Sequence, residues 1–241
     1  MNKSEVKSKD QLLLSYNKRR EPLGIQPRNS FLNSSKAKVV VWAFIFTEDK
    51  KLLLHRRKEN AKDNRGLWDK SAGGHVERSD LESSTAVARE VAEELYTDER
   101  FGSIADNKIR VHDITEEMKF LGEWGAEKKE LCADEVYFKY YRVNFGFSKL
   151  LINSYRILPN GEHMSVSFFV DAFFFLAPKS FTIQNLYNSD YYLVSLPDLK
   201  KASEIGFFPN TDILYKPTPD LSHIMELPIW NDLVHFSECI I

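Results

Sequence analysis

The sequence predicts an α/β fold, because apolar β-type segments stand on either side of an acid-rich amphipathic helix. Val39 to Thr47 and Leu52 to Leu54 flank a polar turn at residues 48–51, which indicates a β-hairpin. Ser165 to Leu176, with the sequence SVSFFVDAFFFL, has the length and aromatic content of a buried strand. Good helix formers run from about Asp80 to Leu95. These segments predict a sheet that packs against helices.

Three further segments complete the predicted sheet. Val136 to Val143 alternates in part between apolar and polar residues, which favours a strand. Leu150 to His163 contains a Pro-Asn-Gly turn signal and predicts the tip of an inserted hairpin or loop. Tyr191 to Leu196 predicts a last strand, and the residues that follow it predict a helix.

The composition divides the chain into three parts. Residues 1–36 are polar and contain prolines and serines, so they predict a loosely structured N-terminal arm. Residues 37–200 contain the predicted strands and the acid-rich helix and form the main domain. Residues 201–241 contain four prolines and predict a C-terminal extension that packs on the same domain.

The helix near residue 80 has one apolar and one acidic face. Ser79 and Glu82 fit a capping box, which predicts that the helix starts near Asp80 and runs for about four turns. Residues at helical spacing form the apolar stripe, namely Ala88, Val91, Ala92 and Leu95. The other face presents three carboxylates, Glu90, Glu93 and Glu94.

Those three carboxylates predict a metal site. Like charges at this spacing cost a helix a few tenths of a kcal/mol per pair, and Arg89 alone does not neutralise three acids. A hard cation that prefers oxygen ligands offsets the repulsion, with Mg²⁺ as the first choice and Mn²⁺ as the second. The upstream Gly73-Gly74 pair predicts close approach of a ligand to the backbone.

This arrangement resembles the Nudix box, in which a glycine loop leads into a helix with the pattern R-E-(apolar)-x-E-E. The matching residues run from Gly74 to the segment Arg89-Glu90-Val91-Ala92-Glu93-Glu94, and the resemblance covers roughly residues 37–200. Two features depart from the family pattern. The interval from Gly74 to Arg89 is one residue longer than usual, which leaves Asp80 and Glu82 as alternative mid-box acids, and Tyr96 replaces a late glycine.

The resemblance implies a Nudix fold, with a mixed β-sheet sandwiched between α-helices. It also implies metal-dependent hydrolysis of a diphosphate linkage in a nucleoside diphosphate derivative or a related small molecule. Under this hypothesis Glu93, Glu94 and the Gly73 carbonyl hold Mg²⁺ or Mn²⁺, and Glu90 completes the metal shell or acts as the base. Asp190 and Glu135 are candidate metal ligands from outside the box.

Several other residues have expected roles around this site. Arg89 is expected to orient a glutamate through a charge-assisted fork, and Arg56 and Arg57 are candidate phosphate contacts at the end of the second strand. His75 is expected to be a loop histidine that is hydrogen-bonded to backbone. Trp68 is expected to pack under the glycine loop.

Two alternative functions stay open at this point. An isopentenyl diphosphate isomerase-like enzyme is expected to have a cysteine just before the glycine-histidine pair, where Ser71 and Ala72 lie. A catalytically silent Nudix module that binds a nucleotide or a protein partner is favoured by Tyr96 and the extra box residue. The sequence does not specify the leaving group of the substrate.

Composition limits the remaining classes. The net charge of −2 gives no basis for general nucleic-acid binding, which normally requires a strongly basic surface. The two cysteines, Cys132 and Cys239, lack metal-ligand spacing and predict free thiols of a reducing compartment. A polar N-terminus and the lack of a long apolar run predict a cytoplasmic protein without membrane contact, and a homodimer is possible.

Overall fold

The computed structural model describes residues 12–78, 80, 82–95, 109–113, 127–133, 136–142, 151–177 and 190–240. Four helices are present in these ranges: α1 (Ser83–Leu95), α2 (Leu196–Ile205), α3 (Pro219–Ile224) and α4 (Ile229–Cys239). The same ranges contain twelve strands, which are β1 (Leu12–Tyr16), β2 (Pro22–Pro27), β3 (Ala37–Phe46), β4 (Lys51–Arg56), β5 (Trp68–Asp69), β6 (Ala72–His75), β7 (Ile109–Asp113), β8 (Glu127–Ala133), β9 (Val136–Arg142), β10 (Leu151–Ile157), β11 (His163–Leu176) and β12 (Tyr191–Ser195).

The described strands join one mixed sheet, as the sequence predicts. Its main path has the order β12-β4-β3-β11-β9-β8-β7. Strands β3 and β11 are parallel, whereas β4 and β9 pair antiparallel with their neighbours. The predicted hairpin of β3 and β4 is confirmed, and so are the long strand β11, the hairpin with β10 and the last strand β12.

The centre of the sheet is buried on both faces, which is why β3 and β11 are nearly continuous apolar runs. All ten residues of β3 are buried. One face packs against α1 through Val87, Val91 and Leu95. The opposite face packs against the three C-terminal helices, in part through Phe236. The sheet is therefore sandwiched between helices.

Two of the C-terminal helices begin at residues whose side chains cap them. The Ser195 hydroxyl accepts a hydrogen bond from the Asp198 N–H at the start of α2, and the helix ends at Gly206, where φ is +80°. Thr218 caps α3 in the same way by accepting from the Leu221 N–H. Within the described residues, no helix is long and apolar enough to cross a membrane.

The predicted start of α1 near Asp80 is wrong, because the helix begins at Ser83. The Asp80 carboxylate accepts from the Glu77 N–H at 2.8 Å, and the Asp80 N–H donates to the Glu77 carbonyl at 3.0 Å. These two bonds close a turn over residues 77–80 and leave that segment outside the helix. Ser79 of the predicted capping box lies outside the described residues.

The prediction of a loosely structured arm is also wrong for residues 12–31. Strands β1 and β2 form an antiparallel hairpin, and Tyr16 pairs with Ala37 at the start of β3. A 3₁₀ turn, Arg28–Phe31, follows and buries Phe31. Arg20 contacts the buried Asp171 carboxylate at 3.2 Å, which ties the hairpin to β11. Packing against the sheet therefore orders this polar segment.

Candidate active site

The glycine pair lies in β6, a short strand that pairs with β3. A Cβ atom at Gly74 would lie 2.1 Å from the Glu90 carboxylate carbon, and one at Gly73 would lie 2.7 Å from the Val41 carbonyl oxygen. The sequence predicts that these glycines admit a ligand. In the structure, the room at Gly74 is instead filled by the Glu90 side chain.

Arg89 is the centre of a hydrogen-bonded network at the start of the box. Its guanidinium donates to the Asp80 carboxylate at 2.9 and 3.3 Å and to Glu90 Oε1 at 2.8 Å. A third contact reaches the His75 carbonyl oxygen at 2.9 Å. Of the two mid-box acids that the sequence leaves open, Asp80 makes this contact, and Glu82 is exposed. Nε and Nη2 of the guanidinium therefore bind Asp80, and Nη1 donates to Glu90.

Glu94 lies one helical turn after Glu90 on α1, and its side chain contacts β6. Its carboxylate accepts from the Gly73 N–H at 3.1 Å, and its backbone carbonyl accepts from the Tyr191 hydroxyl at 3.0 Å. Burial raises the pKa of Glu94 to about 7, although the charges of Lys70 and Arg57 act in the opposite direction. A buried carboxylate with a raised pKa is one whose negative charge lacks full compensation.

A network of buried and partly buried charged side chains precedes β6 in the chain. Lys70 Nζ contacts Asp69 Oδ1 at 3.1 Å, and Arg57 contacts Asp63 at 2.8 Å. Burial alone would raise the pKa of Asp69, but Lys70, His55 and Arg57 hold it well below its usual value. The buried His55 donates from Nδ1 to the Lys70 carbonyl at 2.6 Å, and burial lowers its pKa.

The two arginines at the end of β4, Arg56 and Arg57, lie in different surroundings. Arg56 contacts Glu59 and Asp190, each at 3.2 Å, and all three side chains are well exposed. Arg57 is less exposed, and its charge acts on Glu94. The structure thus brings Arg57 towards the α1 carboxylates and holds Arg56 with Asp190 at the surface.

Comparison with known proteins now identifies the domain. Residues 36–139 match the family model described as NUDIX domain. Residues 36–139 form a Nudix domain. No curated protein matches the sequence. Among solved structures, DR0079 of Deinococcus radiodurans is 16% identical, with a TM-score of 0.49 over 90% of this chain and 98% of that chain. The MutT protein of Methanosarcina mazei Go1 is 21% identical, with a TM-score of 0.34 over 68% and 81% of the two chains.

The Nudix domain supports assignment of the chain as a Nudix hydrolase in general terms. Its described side chains place two box carboxylates, Glu90 and Glu94, against the glycine strand. Glu135 and Tyr96 lie outside the described residues, and so does the side chain of Glu93. Among the side chains that are described, no three acids, histidines or cysteines form a metal-binding group. The raised pKa of Glu94 nevertheless fits a hard cation, which would offset its buried charge.

Two aromatic residues near the box have structural surroundings. Trp68 is buried, donates from Nε1 to the Leu214 carbonyl at 3.0 Å and packs edge-on against Phe208. Trp68 thus packs against the C-terminal segment, and packing under the glycine loop stays a prediction. His75 lies in strand β6 rather than in a loop, so that part of its prediction is wrong. Burial, followed by the charges of nearby cations, lowers its pKa well below the usual value.

Those cations form a group that the sequence reasoning missed. Lys38, Arg28 and Arg156 come from β3, the 3₁₀ turn and β10, and all three act on the pKa of His75. The signal that could have found Lys38 is a lysine inside the otherwise apolar strand AKVVVWAFIF. Neither arginine is marked by any such pattern.

Ser71 lies near the position at which an isopentenyl diphosphate isomerase-like enzyme is expected to have a cysteine. Its hydroxyl makes hydrogen bonds within the sheet. It donates to the Leu53 carbonyl at 2.6 Å and accepts from the Ile45 N–H at 2.7 Å. Both bonds are buried. The hydroxyl therefore links β3 and β4.

Proposed function

We propose that this Nudix domain hydrolyses a diphosphate linkage in a small molecule, such as a nucleoside diphosphate derivative, with Mg²⁺ or Mn²⁺ as cofactor. The observation that carries the proposal is the placement of Glu90 and Glu94 against Gly73 and Gly74. Glu90 fills the space above Gly74, and Glu94 accepts from the Gly73 N–H. Two carboxylates from successive helical turns thus face one backbone segment.

The expected ligands of the cation are Glu93, Glu94 and the Gly73 carbonyl, with Glu90 as a further ligand or as the base. When bound, a divalent cation would supply charge neutralisation for the diphosphate oxygens. The chain's own residues supply the rest. Arg89 is shared between Asp80 and Glu90, so it holds the Glu90 carboxylate in one orientation for metal binding or proton transfer.

The test is release of phosphate or mononucleotide from a panel of diphosphate compounds. Turnover is expected with Mg²⁺ or Mn²⁺, is expected to stop with EDTA, and is expected to be lost in Glu93→Gln. The matched control is Glu204→Gln, which removes an exposed carboxylate on α2. Metal-independent turnover, or unchanged turnover in Glu93→Gln, would refute the proposal. Retained ligand binding without any turnover would favour the catalytically silent module.

A further inference from the structure

Lys38, a lysine within the apolar strand β3, lies close to the candidate active site. Lys38 is 5% exposed, and within the described residues its ammonium makes no hydrogen bond and no ion pair. The Lys38 ammonium nitrogen lies over the Phe31 ring, 5.6 Å from the ring centroid. A buried charge of this kind is costly unless something of opposite charge reaches it.

Two arginines lie beside this lysine. Phe168 pairs with Lys38 across the parallel strands, and the Arg156 guanidinium lies over the Phe168 ring at 5.5 Å. Arg28 belongs to the same 3₁₀ turn as Phe31, which lies under the Lys38 ammonium. Three separate segments of the chain thus bring three cations to one end of β3.

The acids in this neighbourhood are already engaged with other groups. Asp220 accepts from Arg156 and from the Ser154 hydroxyl, each at 2.8 Å. Asp63 pairs with Arg57 at 2.8 Å. Burial, followed by the charges of Arg156 and Arg28, lowers the pKa of Lys38 to about 7, so these acids do not compensate it.

The cluster also lies at the end of β6, the strand that the box carboxylates contact. Val40, two residues after Lys38 on the same face of β3, pairs with His75 at the end of β6. Burial lowers the pKa of Arg28, and the negative charge of Glu90 acts in the opposite direction. An oxyanion at Lys38 would therefore lie on the His75 face of β6, whereas Glu90 packs on the opposite face, against the neighbouring residue Gly74.

We propose that Lys38, Arg28 and Arg156 form a subsite for a phosphate group. Because the group is taken to belong to the substrate, this inference rests on the proposed function. A phosphate would give the Lys38 ammonium an acceptor and would be shared with the two guanidinium groups. The same chemistry also fits free phosphate released as product.

Binding of inorganic pyrophosphate to the full chain in EDTA tests the subsite without turnover. Calorimetric titration of the wild type and Lys38→Met is compared with Lys201→Met, which removes an exposed lysine on α2. Lys38→Met is expected to weaken binding about ten- to hundredfold, as for loss of one charge-assisted hydrogen bond, and Lys201→Met is expected to leave it unchanged. Equal affinity of wild type and Lys38→Met, or no binding by the wild type, would overturn the subsite.

A second measurement does not depend on a variant that folds. In wild-type protein with labelled lysines, pyrophosphate is expected to raise the midpoint of the Lys38 ammonium titration followed by NMR, and an unchanged midpoint would overturn the subsite. In the active enzyme, Lys38→Met raises KM if the anion belongs to the substrate and raises the inhibition constant of phosphate if it belongs to the product; no change in either also overturns it. Absence of wild-type turnover would instead count against the proposed hydrolysis.

Discussion

Replacing Gly74 by alanine should destabilise the protein because of one side chain, Glu90. The three atoms nearest to an added Cβ are the carbon and the two oxygens of the Glu90 carboxylate, at 2.1 to 2.3 Å. Carbon atoms in contact are normally about 3.5–4.0 Å apart, so the carboxylate must move by more than about 1 Å. That movement breaks its 2.8 Å bond with Arg89.

The loss in the free energy of unfolding caused by Gly74→Ala has two contributions. Overpacking of a filled site costs about 1–3 kcal/mol, and loss of a hydrogen bond to a charged group costs about 1.5–3 kcal/mol. Because one displacement causes both, the expected loss in the free energy of unfolding is about 3 kcal/mol. In a Glu90→Ala background the obstruction is gone, and alanine is better than glycine within a strand by about 0.5–1 kcal/mol. Gly74→Ala should then be slightly stabilising.

Urea unfolding in EDTA of the wild type, the two single variants and the double variant measures this coupling. Gly73→Ala is the matched control, since its Cβ meets the Val41 carbonyl and Lys70, and its effect should be the same in both backgrounds. If Gly74→Ala destabilises both backgrounds equally, contact with Glu90 is not the reason that the position needs glycine.

Three more outcomes are expected. Arg89→Lys should lower turnover about 10- to 100-fold in steady-state assays, since a single ammonium does not reproduce the contacts to Asp80, Glu90 and backbone; wild-type turnover would contradict this role. Lys38→Met should stabilise the free protein below pH 7. The native-state pKa of Lys38 lies at about 7, below its unfolded value, so burial of the charge costs stability at low pH, on the order of a few kcal/mol. In urea unfolding at a series of pH values, the gain should shrink between pH 7 and 10.5, and a pH-independent gain would contradict it. Tyr215→Phe should be neutral or stabilising by up to about 1 kcal/mol in thermal unfolding, because the buried hydroxyl has no partner in the described part of the chain; a clear loss would show that it has one.

The acid-rich helix and the central hairpin could be predicted from sequence because both depend on local patterns. Helical spacing put Val91 and Leu95 on one face and Glu90 on another, and the structure packs the apolar face on the sheet. The start of α1 was predicted incorrectly, since a capping box describes only local bonds. Asp80 is held by Arg89, nine residues further along, and by the turn it closes with Glu77.

The ordering of the N-terminal hairpin was not predictable from its own residues. Its composition is polar, and its strands gain their place by pairing with β3 and through the contact of Arg20 with Asp171, 151 residues away. Local propensity contains no information on such a partner. Tertiary packing therefore overrides the composition of this segment.

By itself, the sequence determined the sheet and helix segments and the family resemblance, because hydrophobic periodicity and the box spacing act over a few residues. Only the tertiary structure decided that Gly74 makes room for Glu90, that Asp80 meets Arg89, and that a cationic cluster exists. Lys38 and Arg156 lie in strands that are far apart in the chain, on either side of β11 residue Phe168 in space. Charges add over distance in space and not along the sequence, so the fold alone brings this cluster together.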